Sequence, residues 1–215
     1  MMTFRVQKRV TLLLAVVSLA GALSACAPLM IGGAFVGGMM ASDRRTSGSQ
    51  VEDEGIELRA NSRINENLGE RVHVNVTSYN RQVLLTGEVP SEQDKQRVER
   101  VVAGVENVRS IVNELGVLGS STLTQRASDS LVTGKVKASL LDAKDLFSNA
   151  FKVVTERGTV YVMGRVTQRE ATRATEIISG TGGVMKVVRI LEIISEDELK
   201  ALSPAPVSTP TSTQP

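Results

Sequence analysis

Tryptophan is absent from the 215 residues, aromatic side chains make up 3%, His73 is the only histidine and Cys26 the only cysteine. One imidazole and one thiol cannot build the usual zinc or paired His/Cys sites, and they leave most general-base chemistry without its customary side chain. The lone cysteine excludes an intramolecular disulfide. With no nucleophile–base pair and no metal or cofactor set in view, the composition argues against an enzyme. Charge of one sign is also lacking, because 25 basic and 23 acidic residues leave a formal +2. What is plentiful is apolar side chain, 41% of the chain, enough for a real core and too much for an intrinsically disordered protein.

The first residues carry Arg5, Lys8 and Arg9 with no acid, followed by an apolar run from Val10 to Leu23. These are the n- and h-regions of a secretory signal, and the run is short for a transmembrane helix. It ends Leu23-Ser24-Ala25-Cys26, which resembles the bacterial lipoprotein lipobox, small residues before the cut and a thiol that takes diacylglycerol. The competing reading is an ordinary signal peptide with an incidental cysteine. By the resemblance the mature chain begins at Cys26 and is held by two or three acyl chains such as palmitate, where a single chain binds only reversibly. Ala27, rather than Asp, follows the cysteine, and by resemblance to the enterobacterial sorting pattern this implies the periplasmic face of the outer membrane. Removing residues 1–25 turns the formal +2 into −1. Such a chain offers no basic surface overall for capturing nucleic acid.

Residues 26–50 read as a tether. Ala27 to Ala41 is apolar with Gly32, Gly33, Gly37 and Gly38, and lies against the lipid or serves as a loose linker; Ser42 to Gln50 is a polar spacer. Residues 197–215 read as a disordered tail rich in Pro, Ser and Thr. Between them the chain repeats itself. Val83-Leu84-Leu85-Thr86-Gly87-Glu88-Val89 matches Val160-Tyr161-Val162-Met163-Gly164-Arg165-Val166 at an offset of 77, Gly104-Val105 matches Gly183-Val184 at 79, and Ala60, Ile64 and Leu68 match Val132, Val136 and Leu140 at 72. Offsets that shift between blocks are what loop insertions leave in a duplication.

Each copy reads as αββαβ. The i, i+4, i+8 apolar positions predict an amphipathic helix. Residues 72–78 and 82–89, and again 151–156 and 159–166, predict two hairpins turning at Tyr79-Asn80-Arg81 and Glu156-Arg157-Gly158. Helices follow at Ser91 to Ala103 and Gln168 to Ser179, with last strands at Val108 to Leu115 and Val187 to Ile194. The fold class is α+β, with boundaries at 51–118 and 119–196.

The αββαβ order, the apolar-apolar-x-Gly-x-Val at the end of the second strand and the Gly-Val-x-x-Val before the last one resemble the BON domain. The likeness is nearest in the second copy, through Val153-Val154-Thr155-Glu156 and Met163-Gly164-Arg165-Val166-Thr167-Gln168-Arg169-Glu170. A lipobox followed by two such units resembles the dual-BON outer-membrane lipoproteins of the DolP type. The resemblance implies two tandem BON domains, each a three-stranded mixed sheet packed on two helices. It further implies a non-enzymatic periplasmic protein without cofactor, which recognises anionic phospholipid, supports outer-membrane integrity and collects at division sites.

Charge separates the copies: residues 51–118 hold 8 basic and 12 acidic side chains, residues 119–195 hold 11 and 7. Near an anionic leaflet the second gains about 1 kcal/mol per well-placed cation and the first is repelled. If Val132, Val136 and Leu140 face the sheet, then Leu131, Gly134, Lys135 and Ala138, with Lys137 nearby, turn outward as an apolar wedge with cations. The resembling lipoproteins often carry a larger aromatic where Leu131 stands. The competing reading packs Leu131 against the first copy. A rival function is a scaffold that docks envelope-assembly, division or cell-wall enzymes, with acyl chains alone providing attachment. The remaining candidates read as structural: Gly180-Thr181-Gly182-Gly183 ends a helix rather than clamping RNA, His73 opens a strand, Gly87 and Gly164 allow close backbone approach, and Asp53 with Glu54 lies on a solvated segment.

Overall fold

A computed structural model describes residues 43–202. The signal segment, Cys26, the Gly-rich stretch and residues 203–215 lie outside the described residues. Thr46 caps the first helix, α1 (Ser47–Leu68), by accepting the Ser49 N–H. The helix therefore starts inside the stretch read as spacer, and its first buried positions, Asp53 and Ile56, lie two turns and one turn ahead of Ala60. A hairpin follows, β1 (His73–Tyr79) and β2 (Gln82–Val89), paired antiparallel from His73 with Glu88 to Tyr79 with Gln82. Then come α2 (Glu92–Ala103), β3 (Ser110–Asn113) and the two-residue β4 (Gly116–Val117), both parallel to β2.

The second copy repeats this order with α3 (Leu123–Asp142), the hairpin β5 (Phe151–Glu156) and β6 (Thr159–Thr167), α4 (Gln168–Ser179) and β7 (Lys186–Ile194). β7 runs parallel to β6 along all nine residues. A short α5 (Glu196–Leu202) covers the start of the stretch read as disordered tail. Each unit is thus α+β with a mixed sheet, and in the first copy the third strand is split in two.

Caps and turns place the two copies in register more sharply than apolar matching does. Thr46 and Thr122 are the N-caps of α1 and α3, and Gly104 and Gly180 are the C-caps of α2 and α4, all 76 apart. Asn107 and Gly183, also 76 apart, both have positive φ, 65° and 101°. Ile56 therefore corresponds to Val132 and Ala60 to Val136, and Val108 to Val184. The offsets of 72 and 79 expected from sequence are each wrong, the first by one helical turn. An i, i+4, i+8 pattern looks the same after a one-turn shift, so it cannot fix its own register. The offset of 77 is right within the hairpins, and Pro90, an extra residue in the first copy, restores 76 at the caps Ser91 and Thr167.

Both hairpin turns put two residues at positive φ, Asn80 and Arg81 (49° and 66°), and Arg157 and Gly158 (52° and 69°). Paired positive φ values are what a two-residue hairpin turn needs, at a cost of about 1–2 kcal/mol for each non-glycine. A buried carboxylate from the first helix of each copy offsets the strain. Asp53 accepts the N–H groups of Asn80 and Arg81 at 2.7 and 2.8 Å, and Asp129 those of Arg157 and Gly158 at 2.8 and 2.9 Å. Asp53 is 1% exposed, so its expected solvated position is corrected: it sits one turn before Ile56 on the face that meets the sheet. At Gly87, with φ 110°, an added Cβ would lie 2.1 Å from the His73 carbonyl oxygen, so only glycine lets the strands meet there.

Alternation along the central strands builds three cores. Val83 and Leu85 point into a core with α1 and α2, and Val160 and Val162 into one with α3 and α4. The intervening Leu84, Tyr161 and Met163 point the other way and join Tyr79 and Ile190 in a third cluster. The two sheets thus pack face to face with helices outside, and β2 and β6 are buried on both faces, hence their near-continuous apolar sequence. Two ion pairs and a hydrogen bond cross this interface: Arg157 to Glu88 at 2.8 Å, Lys152 to Glu57 at 2.7 Å, and the Asn80 amide donating to Glu192 at 2.7 Å.

Candidate membrane-contact surface

Thr122 opens α3 with a capping box completed by Gln125, two reciprocal bonds that satisfy donors otherwise left unpaired. Asp129, Val132, Val136 and Leu140 are its buried residues. At about 100° per residue the opposite pole is a narrow strip of Leu131, Gly134, Ala138 and Leu141. All four are exposed, Leu131 at 68% and Leu141 at 71%. Lys135 and Lys137, also exposed, border the strip on either side. Neither forms an ion pair among the described residues, and long lysine stems can lie along an apolar strip while their ammonium groups reach outward. Lys135 shares a surface groove with Asp142, in the last turn, and with Glu176.

All five expected contact residues, Leu131, Gly134, Lys135, Lys137 and Ala138, therefore face outward, and Leu131 does not pack on the first copy. Sequence reasoning missed Leu141, although it lies seven residues beyond Gly134 and so on the same strip. It also overestimated the free positive charge of the second copy. Lys152 and Arg157 pair with Glu57 and Glu88 of the first copy, Arg173 pairs with Asp145, and Arg165 pairs with Glu192 and Glu198.

A second missed feature is the segment just before α1. The Arg44 guanidinium binds both carboxylate oxygens of Glu170 at 2.7 Å and donates to the Arg165 carbonyl at 3.0 Å. Arg45 binds Asp53 at 2.7 Å and lies over the Tyr79 ring at 4.3 Å. Burial by itself would push the Glu170 carboxyl up; Arg44 and the Thr167 N–H outweigh it and hold it below its ordinary value. Asp53 is likewise lowered, with Ser78, Arg81, Arg45 and Asn80 overcoming burial. Consecutive arginines in a stretch read as spacer thus clip one copy to the other.

Between the copies, Glu88 is 1% exposed and meets His73 at 2.8 Å, the Ser121 N–H and Arg157. Burial opposes its charge but these partners prevail, so its carboxyl is lowered. Glu156 is raised, by burial first and then by the Glu88 charge. His73 thus serves this interface. Among the described residues no His/Cys/Asp/Glu group is arranged to hold a metal, and no helix is long and apolar enough to cross a membrane.

The BON domain family matches residues 52–119 and again 128–194. The chain belongs to the BON-domain family. Its two BON domains are the two αββαβ copies, with α1 in BON domain 1 and α3 in BON domain 2. Over 174 residues the chain is 33% identical to the outer membrane lipoprotein DolP of Haemophilus influenzae, covering 80% of this chain and 90% of that protein. Over 154 residues it is 31% identical to a 21 kDa hemolysin of Actinobacillus pleuropneumoniae, covering 71% and 79%. The C-terminal domain of CdsD, a type III secretion structural protein of Chlamydia trachomatis, aligns at 12% identity over 70% of this chain and all of that one, with a TM-score of 0.28 too low to bear on the comparison. This is a dual-BON chain of the DolP type, as its sequence pattern implies.

Proposed function

We propose that this protein is an outer-membrane lipoprotein, acylated at Cys26 and facing the periplasm, that binds anionic phospholipid through α3 of BON domain 2. It acts without catalysis in support of outer-membrane integrity, at division sites among others. The name and coverage of the Haemophilus relative support the location. The observation that carries the lipid reading is the outward strip of α3, where Leu131 and Leu141 stand 68% and 71% exposed between two lysines without ion-pair partners among the described residues. Each leucine that enters an apolar layer gains up to about 1.5–3 kcal/mol, and each lysine near anionic headgroups about 1 kcal/mol.

The test is co-sedimentation of residues 26–215 carrying Cys26→Ser, which no acyl chain can decorate, with anionic and neutral vesicles at two salt concentrations. Binding to anionic vesicles alone, weakened by salt and by Leu131→Glu at unchanged thermal stability, is the expected result. Absence of binding to either vesicle would replace this reading with a scaffold that docks envelope proteins and uses the acyl chains only for attachment.

A further inference from the structure

Beyond the α3 strip, a second apolar group stands where the chain turns from α3 into β5. Phe147 is 60% exposed although its neighbour Leu146 is buried in the BON domain 2 core. The loop is fixed: Asp145 is paired with Arg173 at 3.0 Å, its carbonyl accepts from Arg169, and the Ala150 N–H donates to the Phe147 carbonyl at 2.9 Å. An aromatic ring held out by a fixed loop keeps its hydration cost in the free protein and recovers it only when something apolar covers it.

Two observations say what covers it. The first is charge: Lys144, three residues before Phe147, is exposed and has no ion-pair partner among the described residues, while Asp145 is neutralised by Arg173 and Asp43 by Arg45. Asp142, in the last turn of α3, has no such partner among the described residues. The second is the path of the chain. Arg44 lies over the Phe147 ring at 5.9 Å, and Asp43 lines an interdomain cleft of about 580 Å³ together with Lys137, Leu141 and Ser148. Asp43 and Arg44, the first of the described residues, therefore lie beside this loop.

We propose that Phe147, with Lys144, is a second contact with an anionic bilayer, so that the protein meets the surface along α3 as far as Leu141 and onward to the loop beside Arg44. The proposal rests on the lipid reading of α3 and extends it to a loop that the strip does not include. Since the chain has no tryptophan, a single introduced one reports its own surroundings. The full acylated chain, carrying Leu131→Trp, Phe147→Trp or Leu58→Trp in turn, is reconstituted in anionic vesicles containing brominated lipid.

The expected result is a blue shift and loss of emission for Phe147→Trp comparable to Leu131→Trp, with Leu58→Trp on BON domain 1 unchanged. Quenching at 131 without quenching at 147 overturns this inference and leaves the α3 reading standing. Quenching at neither position overturns both. Quenching at all three means indiscriminate embedding and overturns the proposal, as does an emission shift at 147 that follows protein concentration rather than lipid, which would make the loop a contact between copies. Each substitution sits at an exposed side chain, and an unchanged thermal midpoint confirms that the reported environment is that of the native fold.

Discussion

BON domains 1 and 2 share a fold, cap for cap, and present opposite outer faces. At the shared offset of 76, the strip Leu131, Gly134, Ala138 and Leu141 of α3 corresponds to Gly55, Leu58, Ser62 and Asn65 of α1. One large apolar residue replaces two, and polar side chains stand where Ala138 and Leu141 would be. Lys135 corresponds to Arg59, which is held by Glu52 at 2.7 Å. The inward faces, by contrast, agree down to the turn-holding carboxylates Asp53 and Asp129. Folding therefore constrains one side of each first helix, and the other side has diverged: apolar and bordered by lysines without ion pairs among the described residues in BON domain 2, more polar with its arginine paired in BON domain 1.

The largest effect should come from testing how equal the two turn carboxylates are. Among the described residues Asp53 accepts from Ser78 Oγ, Arg45 and two turn N–H groups, and Asp129 from two turn N–H groups alone. Asp53→Ala leaves Arg45 to Asp43 alone and strips the Ser78 hydroxyl and two turn N–H groups of their acceptor, and should cost about 3–5 kcal/mol, Asp129→Ala about 1–3 kcal/mol, both read by urea unfolding. Equal costs would show that Arg45 adds nothing to BON domain 1. Next, Leu131→Glu combined with Leu141→Glu should lower anionic-vesicle affinity at least about tenfold, one factor for each 1.4 kcal/mol of burial lost. Leu58→Glu, on the matching strip of BON domain 1, should leave affinity unchanged, and a comparable loss there would erase the distinction between the faces.

Smaller still, Lys135→Gln should weaken binding about fivefold at low salt, close to 1 kcal/mol, and less at high salt. Arg59→Gln should do nothing to binding. The smallest effect concerns pH. Asp53, Glu88 and Glu170 have lowered carboxyls, so their stabilisation is present above their unfolded values of 3.8, 4.5 and 4.5 and is lost as pH falls through the folded ones. Glu156 is raised, so it opposes folding once pH climbs past its unfolded value of 4.5. Glu156→Gln, which can still accept from Asn75, should therefore raise the thermal midpoint slightly at pH 7 and not at pH 3; a lower midpoint at pH 7 would mean that its charge is favourable.

Much of the architecture could be read from sequence because alternation, helical spacing and turn residues all carry their own signals. The second helices, both hairpins and the outward direction of Leu131 and Lys135 follow from periodicity alone. What escaped depends on contacts between distant residues. Asp53 looks like surface until its partners, the N–H groups of Asn80 and Arg81, are brought to it. Arg44 and Arg45 look like a spacer until Glu170 and Asp53 are in place. Phe147 is apolar and isolated, with no periodic pattern to say which way it points, and the face-to-face packing of the sheets lay hidden in Leu84, Tyr161 and Met163, which read equally well as core.

The paired arginines before α1 also have a mechanical consequence. Arg45 is gripped by a carboxylate of BON domain 1 and Arg44 by one of BON domain 2. A pull arriving through the N-terminal segment reaches these two neighbouring residues before it reaches the first turn of α1. The load is shared across the seam between the domains, so tension from the acylation proposed at Cys26 is divided between the two halves before it can peel a helix from its sheet.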